Sequence, residues 1–287
     1  MNKKLRIGAC SWKYDSWKGI VYSEIGNNNF LEEYSRQYNT VEVDQWFWSL
    51  FSSTKIALPE KSVVLEYKKS VPKDFKFTIK VPNSITLTHF YNKNKSEELT
   101  SNPHFLSVNL FVEFLDAIKS LNDQVGCLMF QFEYLNKSKM PSMNHFMENF
   151  QAFHASLPKQ IPDIGIEIRN PNYLNKKYFE FLNGLNIYHV FLHGYYMPSI
   201  IEIYEKYKTY IKDLTVIRLH GEDRKGIEKI SSSNWNKIYI DRQIELKKIA
   251  ELINDLTSRK IDVYLNINNH YEGSAPLTIE RIKKFLD

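Results

Sequence analysis

The chain has 287 residues and a net charge of +5, with 43% hydrophobic and 25% charged residues, a balance that excludes a disordered or low-complexity polymer. Two cysteines, Cys10 and Cys127, cannot make a disulfide framework, and no run of about 18 apolar residues offers a membrane span. So small a charge does not by itself point to nucleic acid, and only Met1–Lys4 precede the first apolar run, so a cytoplasmic protein with no signal peptide and no membrane partner is expected.

Short β-branched or aromatic runs alternate with helical patterns along the whole chain. The first strand is predicted over Arg6–Ser11, followed by an aromatic loop with Trp12, Tyr14 and Trp17. Its turn, Gly8-Ala9-Cys10-Ser11-Trp12, is not the G-x-G-x-x-G of a dinucleotide-binding open sheet. A helix over Phe30–Tyr38 follows an Asn run able to cap it. Strand Thr40–Asp44 leads to Trp46-Phe47-Trp48, and Thr54–Lys69 has a weaker helical pattern broken by Pro59. Strand Lys76–Val81 precedes a helix over Ser107–Leu121, whose apolar stripe falls at 108, 111, 112, 115 and 118. Then come strand Gly126–Phe132, helix Ser142–Ser156, strand Gly165–Arg169, helix Lys176–Asn183, strand Tyr188–Leu192 and helix Ile200–Ile211. Strand Thr215–His220 runs into a polar segment, Gly221–Gly226, read as a flexible loop. Helix Gln243–Ser258, strand Asp262–Asn268 and helix Leu277–Leu286 complete the chain. Eight strand–helix units imply a parallel sheet closed into a single-domain α/β fold over residues 1–287, a (β/α)8 TIM-like barrel.

In such a barrel the site is built at the C-terminal ends of the strands. Polar residues gather there: Glu42 and Asp44, Lys80, Gln131, Glu167 and Arg169, Arg218 and His220, Asn266, Asn268 and then Asn269. Residues two apart on a strand share a face, so Glu167 with Arg169, Arg218 with His220, and Asn266 with Asn268 point the same way. Only eight of the 38 basic residues are arginines, and two stand at these ends. A ring of water-facing or mutually paired charges is the plain reading of any one pair; six strands together point to a polar ligand. Aromatic loops such as that of Trp12 either pack on the barrel top or form a stacking wall. Cys10 fits a small buried residue better than a nucleophile, and Cys127 fits the core.

These residues carry a resemblance. Ile7-Gly8 with Trp12, Trp17-Lys18-Gly19 and Tyr22, Val41-Glu42-Val43-Asp44 with Phe47, and Phe77 to Lys80 with Pro82, Ile85, Thr88 and His89 follow in order. They are joined by Glu167-Ile168-Arg169-Asn170, Arg218-Leu219-His220-Gly221 and Asn268-Asn269-His270. Over nearly its whole length the chain resembles the YecE-like family, also called domain of unknown function 72. The resemblance implies a TIM-like barrel similar to the xylose isomerase and endonuclease IV type, without implying a settled reaction. Many members carry an Asp at the end of strand 6, where this chain reads Phe191-Leu192-His193-Gly194.

The expectation for function is an enzyme, an isomerase, lyase or hydrolase, acting on a phosphorylated or otherwise anionic substrate. Lys80, Arg169 and Arg218 would clamp the anion. His220 would serve as general acid or base, with Glu42 or Glu167 as the second proton carrier. Asn268 and Asn269 would orient hydroxyls or polarise a carbonyl, with Trp12, Gln131 and His89 as further ligand contacts. No cofactor is expected; a divalent metal on Glu42, Glu167 and His220 is the variant to test. The alternatives are a nucleic-acid binding or processing protein, and a barrel that binds a ligand without turning it over.

Overall fold

The computed structural model describes residues 5–24, 29–91 and 98–286. Eight parallel strands run in chain order around an axis: β1 (Leu5–Ala9), β2 (Thr40–Val43), β3 (Lys76–Lys80), β4 (Val125–Phe132), β5 (Ile164–Ile168), β6 (Tyr188–His193), β7 (Leu214–Leu219) and β8 (Asp262–Ile267). Each predicted strand has its counterpart. Helices α1 (Phe30–Ser35), α2 (Lys61–Lys69), α3 (Asn83–Thr86), α4 (Val108–Ile118), α5 (Met143–Ala155), α6 (Lys176–Gly184), α7 (Ile200–Tyr207), α8 (Arg224–Ser231), α9 (Gln243–Ser258) and α10 (Ala275–Lys283) lie between and after them. The result is a (β/α)8 TIM-like barrel.

Backbone ladders join every neighbouring pair from β2 round to β8 and on to β1. The remaining seam, between β1 and β2, is closed by side chains. The Tyr34 hydroxyl accepts from the Ala9 N–H at 2.7 Å and donates to the Thr40 carbonyl at 3.0 Å, and Asn39 Oδ1 accepts from the Ile7 N–H at 3.1 Å. Gly8 makes this approach feasible: a Cβ there would stand 1.9 Å from the Thr40 carbonyl oxygen.

The N-terminal half of the barrel interior is apolar, filled by Cys127, Met129, Val190, Leu214, Val216 and Tyr264. The larger core lies between strands and helices, with Phe111, Phe130, Phe132, Phe146, Phe150 and Phe153 stacked edge to face under α4 and α5. Above the inner apolar layer the inward-facing residues turn polar, and there the site begins.

Two expectations about elements are corrected. Gly221–Gly226 is not wholly a loop: α8 starts at Arg224, with Asp223 Oδ1 accepting from the Gly226 N–H at 2.9 Å. The helix expected over Thr54–Lys69 is confined to Lys61–Lys69, after Pro59. Among the described residues no helix is long and apolar enough to cross a membrane.

Candidate active site at the barrel mouth

Arg218, on β7, stands at the centre of the mouth and is 1% exposed. Its Nε and Nη2 donate to the two oxygens of Glu42, at 2.7 and 2.6 Å, in a two-pronged pair. Its Nη1 donates to Glu167 and, at 3.3 Å, to Gln131 Oε1. Asn266 Nδ2 ties this hub to β3, donating to Thr78 Oγ1 at 2.8 Å and to Glu42 at 3.4 Å. Four strand ends are thus held by one guanidinium. Burial alone would lower the Arg218 pKa; Glu167 and Glu42 outweigh it and hold the group well above its ordinary range. Burial would likewise raise the Glu167 carboxyl, but the Arg218 and Arg169 charges hold it down at about 2.

This geometry bears on the roles expected for Arg218, Glu42 and Glu167. A guanidinium spread over two carboxylates and an amide, and turned from solvent, is not presented to a ligand. The two carboxylates it fixes are held in place by its donors.

Two other cations face the opening. Arg169 Nε donates to Glu167 at 2.8 Å, its side chain stays 20% exposed, and its guanidinium lies 4.2 Å from the centre of the Tyr195 ring. Lys80 Nζ lies 3.8 Å from the centre of the Phe47 ring, in a residue 8% exposed. Burial, with Arg218 next, lowers Lys80 to about 8.

His220 is buried beside them. Its Nε2 is 3.6 Å from Cys10 Sγ and its Nδ1 3.5 Å from the Tyr195 hydroxyl. Burial first, then the Arg218, Arg169 and Lys80 charges, drive its pKa well below 6.5. That shift favours the neutral imidazole. Burial and the Glu42 charge push the Cys10 thiol well up, so it is no ready thiolate. Asp44, one inward step above Glu42, is raised to about 6 by burial and then by Glu42.

Cys10, Glu42 and His220 each offer a ligand atom, all within 4.8 Å of one another. By donor type and spacing they can hold a metal, with Cys10 in the place expected of Glu167. Against that, both Glu42 oxygens already accept from Arg218, so a guanidinium meets the charge that an ion would use.

The other expected contacts fall outside this cluster or serve the fold. Trp12 is fully buried, edge-on to Tyr67 at 5.0 Å, and presents no face to a ligand. Asn269 Oδ1 accepts from the Ala275 N–H at 2.8 Å, at the start of α10, and Asn268 Oδ1 accepts from the His270 N–H at 3.0 Å; both shape the β8 loop. His89 keeps to the β3 loop, with Nδ1 3.0 Å from Thr88 Oγ1. At β6 the inward position is Leu192, and His193 points outward, its Nε2 2.9 Å from Glu245 Oε1 on α9. No carboxylate therefore enters the mouth from β6. Tyr195 is the residue that sequence reasoning missed. It lies in a left-handed run, with φ of 107° at Gly194, 55° at Tyr195 and 63° at Tyr196. That strained turn sets the phenol between Arg169 and His220.

The fold recurs in known proteins. The UPF0759 protein YecE of Escherichia coli K12 is 26% identical over 171 residues, 59% of this chain and 50% of the relative, so the chain spans half the length of that curated protein. A DUF72 family protein of Thermotoga maritima has a crystal structure that matches with a TM-score of 0.68 and 20% identity, over 98% of both chains. One from Enterococcus faecalis matches with a TM-score of 0.67 and 18% identity, over 98% of this chain and 95% of the other. The family model described as "Protein of unknown function DUF72" matches residues 6–287, and the chain belongs to that family.

Proposed function

We propose that this barrel is an enzyme that takes a small anionic ligand into its mouth and acts on it by proton transfer. The carrying observation is the state of the cations. Arg218 is consumed within the protein, whereas Arg169 and Lys80 stand at the opening, and Lys80 has no acceptor of its own among the described residues. A buried or half-buried cation without a full set of partners is costly until an anion supplies them. The neutral His220 is the proton acceptor, and Asp44, protonated below about 6, is the complementary acid. Tyr195 orients both Arg169 and His220. Glu42, Glu167 and Arg218 hold these groups in place.

The test is thermal stabilisation of the purified protein by small carboxylates and sugar phosphates. A ligand at about 100 times its Kd adds about 2.7 kcal/mol. Arg169→Ala is expected to abolish that shift while leaving the unliganded protein folded. A shift kept in full by Arg169→Ala would overturn the assignment.

One observation favours a second reading, an extended ligand such as single-stranded nucleic acid. Trp48 and Tyr91, on the β2 and β3 loops, are 63% and 54% exposed with ring centroids 5.7 Å apart, a platform on which bases stack. Its mark is affinity that falls about a thousandfold or more between about 50 and about 200 mM salt, together with its loss in Trp48→Ala.

A further inference from the structure

Lys80 combines three properties that bear on the balance between its ammonium and its free amine. It is nearly buried, and its ammonium has neither a hydrogen-bond acceptor nor a carboxylate within 4.0 Å among the described residues. It lies against an aromatic face, 3.8 Å from the centre of Phe47. The two deep carboxylates that might have paired with it, Glu42 and Glu167, are turned onto Arg218 and Arg169. The β2–β3 ladder pairs Glu42 with Thr78 and Val43 with Ile79. Asp44 follows directly on the end of that ladder, close enough to Lys80 for each charge to act on the other. Such surroundings favour the free amine over the ammonium. With the Lys80 pKa at about 8, about a tenth is amine at pH 7, roughly 200 times the fraction for an ordinary lysine.

We propose that Lys80 is an amine nucleophile that forms an imine with the carbonyl carbon of a small anionic aldehyde or ketone, with Asp44 as the acid that releases water. This deepens the anion-site reading above and rests on it. The Nζ lone pair forms a bond to the carbonyl carbon, and the C–O π pair moves to oxygen. The nitrogen then loses a proton and the oxygen gains one, giving a carbinolamine. Asp44 protonates the hydroxyl, the C–O bond breaks, water leaves and the nitrogen lone pair closes the C=N bond. Amine, carbonyl compound and Asp44 carboxyl thus become iminium, water and Asp44 carboxylate. The iminium draws electrons from the adjacent C–H bond, and the neutral His220 is the base in the same mouth that can take that proton. Arg169 holds the anionic end of the substrate.

The experiment uses the full chain with glyoxylate, the smallest anionic aldehyde, and sodium cyanoborohydride. The reagent delivers hydride to an iminium carbon and leaves a stable secondary amine. Peptide mapping then gives a labelling rate for each lysine, so the 30 lysines act as internal controls and no variant is needed for the first result. Lys80 is expected to label at least about tenfold faster than the exposed lysines at pH 7. Asp44→Asn should slow Lys80 about tenfold or more without changing the others. Glycolate, which keeps the carboxylate and has no carbonyl, reads the anion site separately by thermal shift. A glycolate shift with Lys80 labelled no faster than exposed lysines would overturn the imine and leave the anion reading standing. Absence of a glycolate shift in the wild type counts against the anion reading itself. Lys80→Arg is expected to retain the glycolate shift, because the charge remains, and to lose the fast adduct.

Discussion

At the scale of single residues, burial separates two arginines that look alike in the sequence. Arg218→Ala leaves Glu42 and Glu167 buried, with Glu42 stripped of both strong donors. It is expected to cost about 3–5 kcal/mol of stability, read by urea unfolding. Arg169→Ala leaves Glu167 paired with Arg218 and removes a partly exposed cation, for which about 1 kcal/mol or less is expected. Equal losses would contradict the division of labour drawn between them. Acid titration tests the hub by another route. The Glu167 pKa is 4.5 in the unfolded reference and about 2 in the fold. Its ionised form therefore stabilises the protein above 4.5, and that contribution is lost as pH falls from 4.5 towards 2. Glu167→Gln should be less stable than wild type at neutral pH, by about 3 kcal/mol as an order of magnitude, and the gap should close across that window. The sequence placed Glu42, Glu167 and Arg218 at strand ends by their period of two. It allowed a ring of mutually paired charges but did not single out Arg218 with Glu42, 176 residues apart, because pairing across a barrel depends on stagger between strands and not on local pattern.

At the scale of elements, the strands were legible and some connections were not. Parallel strands buried on both faces leave continuous apolar runs bounded by polar ends, a strong signal even in four or five residues. The helix α8 was hidden because its buried apolar face is only Ile227, with Ile230 exposed, and Gly226 falls in its first turn; its N-cap, Asp223, was the available clue. The β1–β2 seam also escaped notice, since a glycine in a strand does not name the backbone that approaches it. That seam predicts contrasting results for two glycines. Gly8→Ala drives a Cβ to 1.9 Å from the Thr40 oxygen, so the mutant should lose several kcal/mol or fail to fold, because backbone and not a flexible side chain must give way. Gly184→Ala, at the end of α6, meets nothing within 4 Å and has no left-handed φ, and should gain about 0.4–1 kcal/mol. Thermal melts of the two proteins check both signs.

For the whole molecule the even spread of 30 lysines and the +5 charge say little about where an anion would bind; the local balance at the mouth says more. Arg218, Arg169 and a protonated Lys80 face the carboxylates of Glu42 and Glu167. His220 is neutral, its pKa well below 6.5, and the Cys10 thiol is protonated. Below about 6 Asp44 is protonated as well, and the mouth carries one positive charge in excess. Between about 6 and about 8 Asp44 ionises and Lys80 loses its proton, so the mouth passes through neutrality to one negative charge in excess. Affinity for a non-reacting anion such as glycolate should therefore be greatest on the acid side of 6 and fall at least about tenfold by pH 9, since each charge a few ångströms away is worth about 1 kcal/mol or more at the dielectric of a half-buried site. Asp44→Asn should remove the lower limb of that decline and keep the upper one; Lys80→Arg should do the reverse. Isothermal titration across the pH range measures all three. A profile that stays flat from 5 to 9 in the wild type would mean that the anion is held by Arg169 alone, with Asp44 and Lys80 facing away from it. A nucleic-acid ligand gathered by the exposed rings of Trp48 and Tyr91 would instead show the steep salt dependence of counterion release and little response to Asp44→Asn.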